Sequence, residues 1–263
     1  MARPERPADG ATGEPNVAAL MAEAYDAAGR GNYSAALAIW GPLAHTGVAR
    51  AQNNIGACFA EGLGVERDHA LALRWLTLAA EAGDRVGQRN LAALYFRGDG
   101  VEQNYARAAD LYRAAAEAGD GPAQDMLSWM LLEGESVPFD AAGARRWAVA
   151  AAEQGVAAAM TRVGMIHHNA LGVDRDPATA ATWWAKAAAR GDADGQAMLG
   201  AAYMLGAGVP RDGVTALAWL IRAGSGGSKL AESFVQTARG ALSAEEVAEA
   251  ERRAAAPPPE PTS

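Results

Sequence analysis

Leu199-Gly200-Ala201-Ala202-Tyr203-Met204-Leu205-Gly206-Ala207-Gly208-Val209-Pro210-Arg211-Asp212 is the stretch that decides the fold, because its landmarks return along the chain every 36 residues. The pair Gly208-Val209 comes back as Gly172-Val173, Gly100-Val101 and Gly64-Val65, and as Ser136-Val137 in the one unit that lacks the glycine. A large apolar residue keeps the same register at Trp75, Leu111, Trp147, Trp183 and Trp219, and a glycine does so at Gly83, Gly119, Gly155, Gly191 and Gly227. An internal period of roughly 20 to 50 residues is the signature of a solenoid of stacked supersecondary units. Such stacks present extended surfaces, so the pattern predicts binding rather than catalysis.

One unit shows how the repeat is built. Leu91, Leu94 and Tyr95 fall at i, i+3 and i+4, on one face of a helix. Gly98-Asp99-Gly100-Val101 then ends it, since glycine takes positive φ at little steric cost. A second helix is predicted from near Asn104 to Gly119. Asp68, Asn104, Asp140, Asp176 and Asp212 form a column at that second start, and each side chain can accept from free backbone N–H groups. Pro177, after Asp176, is a favoured first helical residue, and the Gly83 column falls where a helix C′ residue belongs. Each unit therefore reads as helix A, a glycine turn, helix B and a glycine stop. The expected fold class is all-α, a solenoid of antiparallel helix pairs in 36-residue repeats, about seven helical hairpins in all.

Regular repeats cover residues 51–227. A less regular pair precedes them, Val17 to Gly29 and Tyr33 to Thr46, with Trp40 placed 35 before Trp75. Another pair follows, Ser228 to Arg239 and Ser243 to Ala256, where Ser243 and Glu246 have capping-box spacing. Atypical polar end units keep the apolar ends of a solenoid from aggregating. The solenoid is thus expected over 16–256, between a disordered segment 1–15 and a disordered Pro-rich tail 257–263.

The composite pattern, shown by Leu199-Gly200, Tyr203, Gly206, Gly208-Val209, Asp212, Ala216, Trp219 and Gly227, resembles the Sel-one-like repeat, a relative of the tetratricopeptide repeat. The resemblance covers about five-sixths of the chain. It implies a right-handed superhelical scaffold that holds peptides or proteins. Two units depart from the pattern: Ser136 replaces the second turn glycine, and His167-His168-Asn169-Ala170 stands where other units carry Tyr-x-x-Gly. Those turns are expected to differ in shape. Cysteine-rich relatives staple each repeat with a disulfide, which this chain, with one cysteine, does not.

Bulk composition narrows the function. The net charge of −8 and a pI near 5.1 argue against nucleic acid, whose phosphates require basic stripes. The N-terminal residues, rich in Pro, Gly, Ala and charge, have no apolar signal-peptide core, and no window approaches the ~20 apolar residues of a membrane span. A cytoplasmic location is expected, without a transmembrane segment.

Catalytic and cofactor motifs fail on inspection. The Gly-x-Gly segments lack the preceding strand of a dinucleotide loop, and Gly226-Gly227-Ser228-Lys229 has the wrong order for a phosphate loop. His167 and His168 point about 100° apart on a helix, unlike an i, i+4 metal pair. Cys58 has no histidine at a matching position in its unit and reads as a buried thiol. No isolated carboxylate pair is evident. No enzyme, metal or cofactor is expected, and the repeated tryptophans are read as core.

The candidate site is the concave face that helix A lines in tetratricopeptide-like stacks. One projecting column reads Asn54, Asn90, Met126, Arg162 and Met198; a second reads Ala57, Ala93, Trp129, Met165 and Ala201; a third reads Ala60, Phe96, Leu132, His168 and Met204. The position before the first column adds Asn53, Arg89, Asp125, Thr161 and Ala197. Trp129 stands out because its column otherwise holds smaller residues. Asn54 and Asn90 are placed to clamp an extended peptide backbone, Arg89 and Arg162 to receive a carboxylate, and Phe96, Asp125, Met126, Trp129, Met165 and His168 to supply further contact. The competing explanation is that the apolar residues pack neighbouring A helices and the asparagines bond across repeats. The expected function is a non-enzymatic adaptor for a peptide or protein segment. The alternatives are a homo-oligomer formed through the end units and, as proposed for some relatives, a hydrolase.

Overall fold

The computed structural model describes residues 16–257. The segments expected to be disordered, 1–15 and all of the tail beyond Pro257, lie outside the described residues. Among those residues there are fourteen α-helices and no strand, seven consecutive helix pairs in the order the period predicts. The chain divides into two compact units, Met1–Gln103 and Asn104–Ser263.

The first unit contains α1 (Val17–Gly29), α2 (Tyr33–His45), α3 (Ala49–Glu61), α4 (His69–Glu81) and α5 (Arg85–Arg97). Each packs on the next, and α3 also touches α5. The second unit contains α6 (Tyr105–Glu117), α7 (Gly121–Glu133), α8 (Ala141–Glu153), α9 (Ala157–His168), α10 (Pro177–Ala189), α11 (Ala193–Leu205), α12 (Gly213–Ser225), α13 (Lys229–Gly240) and α14 (Ala244–Ala255). From α6 to α13 each helix packs on the next, and α14 packs on α12. The A helices α7, α9, α11 and α13 also contact one another in succession.

Local chemistry sets the helix ends. The capping column behaves as its residue types require: Asp68, Asn104, Asp140, Asp176 and Asp212 each accept from the N–H three residues on, at 2.9 to 3.0 Å. Each such cap is worth about 1 kcal/mol. A second capping column went unread in the sequence. Asp84, Asp120 and Asp192 cap α5, α7 and α11 at 2.7, 2.9 and 2.6 Å, while Val48 and Val156 leave α3 and α9 without a side-chain cap. A buried glutamine column also repeats. The amides of Gln52, Gln124 and Gln196 donate to Ala44, Ala116 and Ala188 carbonyls at 3.1 to 3.2 Å, tying each A helix to the end of the B helix before it.

Alanine fills much of the core, so backbones approach closely and the larger side chains are few. The tryptophan column corrects the expectation that it is uniformly core. Trp40, Leu111 and Trp219 are buried, but Trp75, Trp147 and Trp183 are only half-buried. Arg146 covers the Trp147 ring at 4.7 Å and Lys186 the Trp183 ring at 4.5 Å. The following column points into the stack instead: Leu76, Tyr112, Ala148, Trp184 and Leu220 are each at most 3% exposed. One residue is a rotation of about 100° on a helix, which moves a ring from the centre of the apolar stripe to its edge.

The turn after helix A shows why glycine recurs. At Gly208, φ is +78° and an added Cβ would lie 2.0 Å from the Pro177 carbonyl oxygen, so any side chain would push the turn off the B helix before it. Ser136 is not in the left-handed region, and in the next unit Ala170 takes φ 57°, the one non-glycine there among the described residues. At the C-terminal end, the Arg222 Nε donates to the Ala254 carbonyl at 3.0 Å and its terminal nitrogen to those of Arg253 and Ala256, closing the last turn of α14. The Ser243–Glu246 capping box closes the first.

Candidate functional site

In the first unit the proposed contact residues are half-buried on α3 and α5: Asn54 on the former, Arg89, Asn90 and Phe96 on the latter. The asparagines form a ladder. Asn90 Nδ2 donates to Asn53 Oδ1 at 2.8 Å, and Asn53 Nδ2 donates to Asn54 Oδ1 at 3.1 Å. The ladder ends on Asn54 Nδ2, a buried donor with no hydrogen-bond partner among the described residues. Nearby, Arg50 Nε donates to Asp84 Oδ2 at 2.7 Å. Burial alone would lower the Arg50 guanidinium, but Asp84 and Tyr25 together outweigh it and hold the group above its ordinary value.

In the second unit the same two columns carry charge. Asp125 on α7 is buried, and its Oδ1 accepts from Arg162 Nε on α9 at 3.0 Å, with both side chains less than a fifth exposed. Thr161 donates to Asp192 at 2.7 Å, joining α9 to the start of α11. His168 is half-buried with its ring 5.4 Å from that of Trp184, and its Nδ1 is buried without a hydrogen-bond partner among the described residues. Met126 is half-buried on α7.

Three of the residues singled out from the sequence meet in one place. Trp129, Arg162 and Met165 line a groove of about 470 Å³ on the A-helix side of the second unit. Its lining takes in the last turns of α7 (Trp129, Leu132 and Glu133), residues of α9, and the first residues of α11 and α13. Met165 and Leu230 are 38% and 44% exposed there, large apolar surface left to water. Asp125, Met126 and His168 are not among the lining residues. Sequence reading missed Glu133, Asp192, Asp194 and Leu230, which sit at helix ends rather than in the mid-helix columns. Asp194 accepts from Ser228 at 2.6 Å, which fixes it beside the entry of α13.

Groups suited to covalent or metal chemistry do not converge here. Cys58 is 2% exposed, and burial pushes its thiol up to about 11, so it is not a nucleophile near neutral pH. Among the described residues no cluster of three or more His, Cys, Asp or Glu could hold a metal ion. No helix among them is long and apolar enough to cross a membrane.

Known proteins extend the pattern. The family described as Sel1 repeat matches the chain five times, at residues 49–84, 86–120, 121–156, 157–192 and 193–228. A Sel1 repeat protein from Oxalobacter formigenes has a similar solved structure, with a TM-score of 0.79, 26% identity and coverage of 92% of this chain and 99% of that one. The antigen c5321, a protective antigen of uropathogenic Escherichia coli with the same repeat fold, matches at a TM-score of 0.74 and 29% identity, over 91% of this chain but only 53% of its own. The immunity protein Pa5087 of Pseudomonas aeruginosa, at 18% identity and a TM-score of 0.51 over 82% of this chain and 84% of that one, shares the fold. No functionally curated protein matches the sequence significantly.

Proposed function

This chain belongs to the Sel1 repeat family, generally a family of protein-interaction scaffolds, and from that premise we propose that it is a non-enzymatic adaptor whose A-helix groove in the second unit holds a peptide segment of a partner protein. The observation that carries the reading is the convergence of Trp129, Met165 and Leu230 on a groove of about 470 Å³. A partly exposed aromatic ring beside exposed methionine and leucine side chains supplies the kind of anchor on which peptide affinity depends. Arg89, Asn90, Asn54 and Phe96 lie on the A helices of the first unit, α3 and α5, and are read as further peptide contacts there. Met126 and His168 lie on α7 and α9, the helices that carry Trp129 and Met165, and are read as secondary contacts, while Asp125 acts through Arg162. The acidic chain is unsuited to nucleic acid, and a cytoplasmic location fits a solenoid that needs no disulfide.

Capture from native lysate tests this, comparing the natural chain with a Trp129→Ala, Met165→Ala variant whose helicity is unchanged by circular dichroism. Partners held by the natural chain and released by the variant support the groove. Identical capture by both would remove the site from it.

A second reading, self-association, has one specific observation in its favour. Val17, Leu20, Ile39 and Pro42 line an apolar hollow of about 350 Å³ on the α1–α2 pair, and α2 carries no Asp, Glu, Lys or Arg. Light scattering across a hundredfold range of concentration separates the two, since only self-association makes the mass rise, and Ile39→Asp should then abolish the rise.

A further inference from the structure

The groove in the second unit is apolar along its floor and acidic at its ends. Glu133 closes the α7 end, and Asp192 and Asp194 stand at the α11 end. Arg162 is the one cation among the lining residues described, and its Nε is engaged by the buried Asp125. That pair is internally neutral, so the three rim carboxylates face the groove without a cation of their own among its lining residues. Asp192 and Asp194 each accept a hydroxyl hydrogen bond, from Thr161 and Ser228, which holds the carboxylates in place without neutralising them. A ligand carboxylate would meet repulsion from both ends, whatever Arg162 could offer it. The charge of the whole chain, −8, has the same sign and would steer a cationic partner toward it.

We propose that the groove selects a basic–apolar peptide segment: one or two large apolar side chains on Trp129 and Met165, flanked on both sides by Lys or Arg facing Glu133 at one end and Asp192 and Asp194 at the other. The proposal rests on the peptide-adaptor reading and adds the chemistry of the ligand. Apolar anchors supply the affinity, and the paired charges fix register and exclude acidic sequences, because like charges juxtaposed across an interface are strongly disfavoured.

The test pans a phage-displayed random dodecapeptide library against the full chain. An enriched sequence is then synthesised beside a copy with every Lys and Arg replaced by Glu, and both are measured by fluorescence anisotropy. The expected result is a consensus with Lys or Arg on both sides of an apolar centre. The charge-reversed copy should bind at least about tenfold more weakly, and raising the salt should weaken the natural peptide. Glu133→Lys combined with Asp194→Lys should invert the preference between the two peptides, whereas Trp129→Ala should weaken both. Thermal melts establish that each variant is folded, and Glu133→Lys alone serves if loss of the Asp194–Ser228 bond unfolds the double variant. A neutral or acidic consensus, or equal binding of the two synthetic peptides, would overturn the proposed ligand chemistry and leave the adaptor reading intact. Failure of the full chain to enrich any sequence over a blank surface would overturn both.

Discussion

The two units build the same cross-repeat strut from different chemistry. In the first, Asn90 on one A helix reaches back to Asn53 on the preceding one at 2.8 Å; in the second, Arg162 reaches back to Asp125 at 3.0 Å. Each pair is separated by 37 residues, and the second lies 72 residues after the first, at equivalent positions. Neutral amides satisfy each other cheaply and tolerate water. An ion pair shielded to less than a fifth exposure must stay paired, because each lone partner would be an uncompensated charge. Repeat geometry therefore fixes where a strut goes, while residue choice decides how much depends on it. The strut that bears charge is also the one beside the groove.

The sharpest way to break that contrast is Arg162→Met, which keeps the stem volume but strands Asp125. It should cost about 3 kcal/mol in urea unfolding, toward the low end for breaking a buried pair. Asn90→Ala at the equivalent position should cost about 1 to 2 kcal/mol, the penalty for leaving Asn53 Oδ1 unpaired. If the two costs are equal, the struts do not differ in the way described. Converting the charged strut to the amide form, with Asp125→Asn and Arg162→Asn together, should cost only about 1 kcal/mol and less than Arg162→Met alone. A double variant as damaged as the single one would mean that Arg162 matters through its packing rather than through Asp125.

The smallest expected effect concerns the caps. In the second unit Asp212 accepts from both the amide and the hydroxyl of Thr215, at 3.0 and 2.6 Å, whereas Asp68 in the first unit faces Leu71 and takes the amide alone. Burial would raise the Asp212 carboxyl, but the Thr215 bonds outweigh it and hold it below its ordinary value. A depressed folded-state value stabilises the protein above the unfolded value, near 4, and that stability is lost as pH falls through the folded one. Melting temperatures between pH 6 and pH 3 should therefore fall less steeply in Asp212→Asn than in the natural chain. An unchanged slope would assign the acid response to other groups.

Most of the fold was legible because it follows from local rules repeated at one spacing: the Asp and Asn caps, the positive-φ glycines and the apolar stripe. Ser136 and Ala170 marked in advance the two turns that depart from the rest. Of the candidate groove, Trp129 was legible as a large ring in a column of smaller residues and Met165 as a methionine of the same column, but the internal bonding of these helices was not. Asn53 and Asn54 differ by a rotation of about 100°, and only the fold decides which of them faces the neighbouring helix. One signal was available: complementary polar residues at i and i+37, Asn with Asn and Asp with Arg. It shows only when columns are compared across repeats rather than read down. The carboxylates and Leu230 at the ends of the groove lie at helix termini, which a search for mid-helix columns passes over.

The most direct measurement follows the methyl groups of the eight methionines by carbon-labelled NMR while a synthetic basic–apolar dodecapeptide is added. Met165 lies in the groove of the second unit, and Met21 is buried on α1 in the first. A peptide seated in the groove shifts the Met165 methyl saturably and leaves Met21 unmoved, with the response lost in Trp129→Ala. A Met165 signal that stays fixed at saturating peptide, or shifts confined to Met21, would contradict the placement of the binding site.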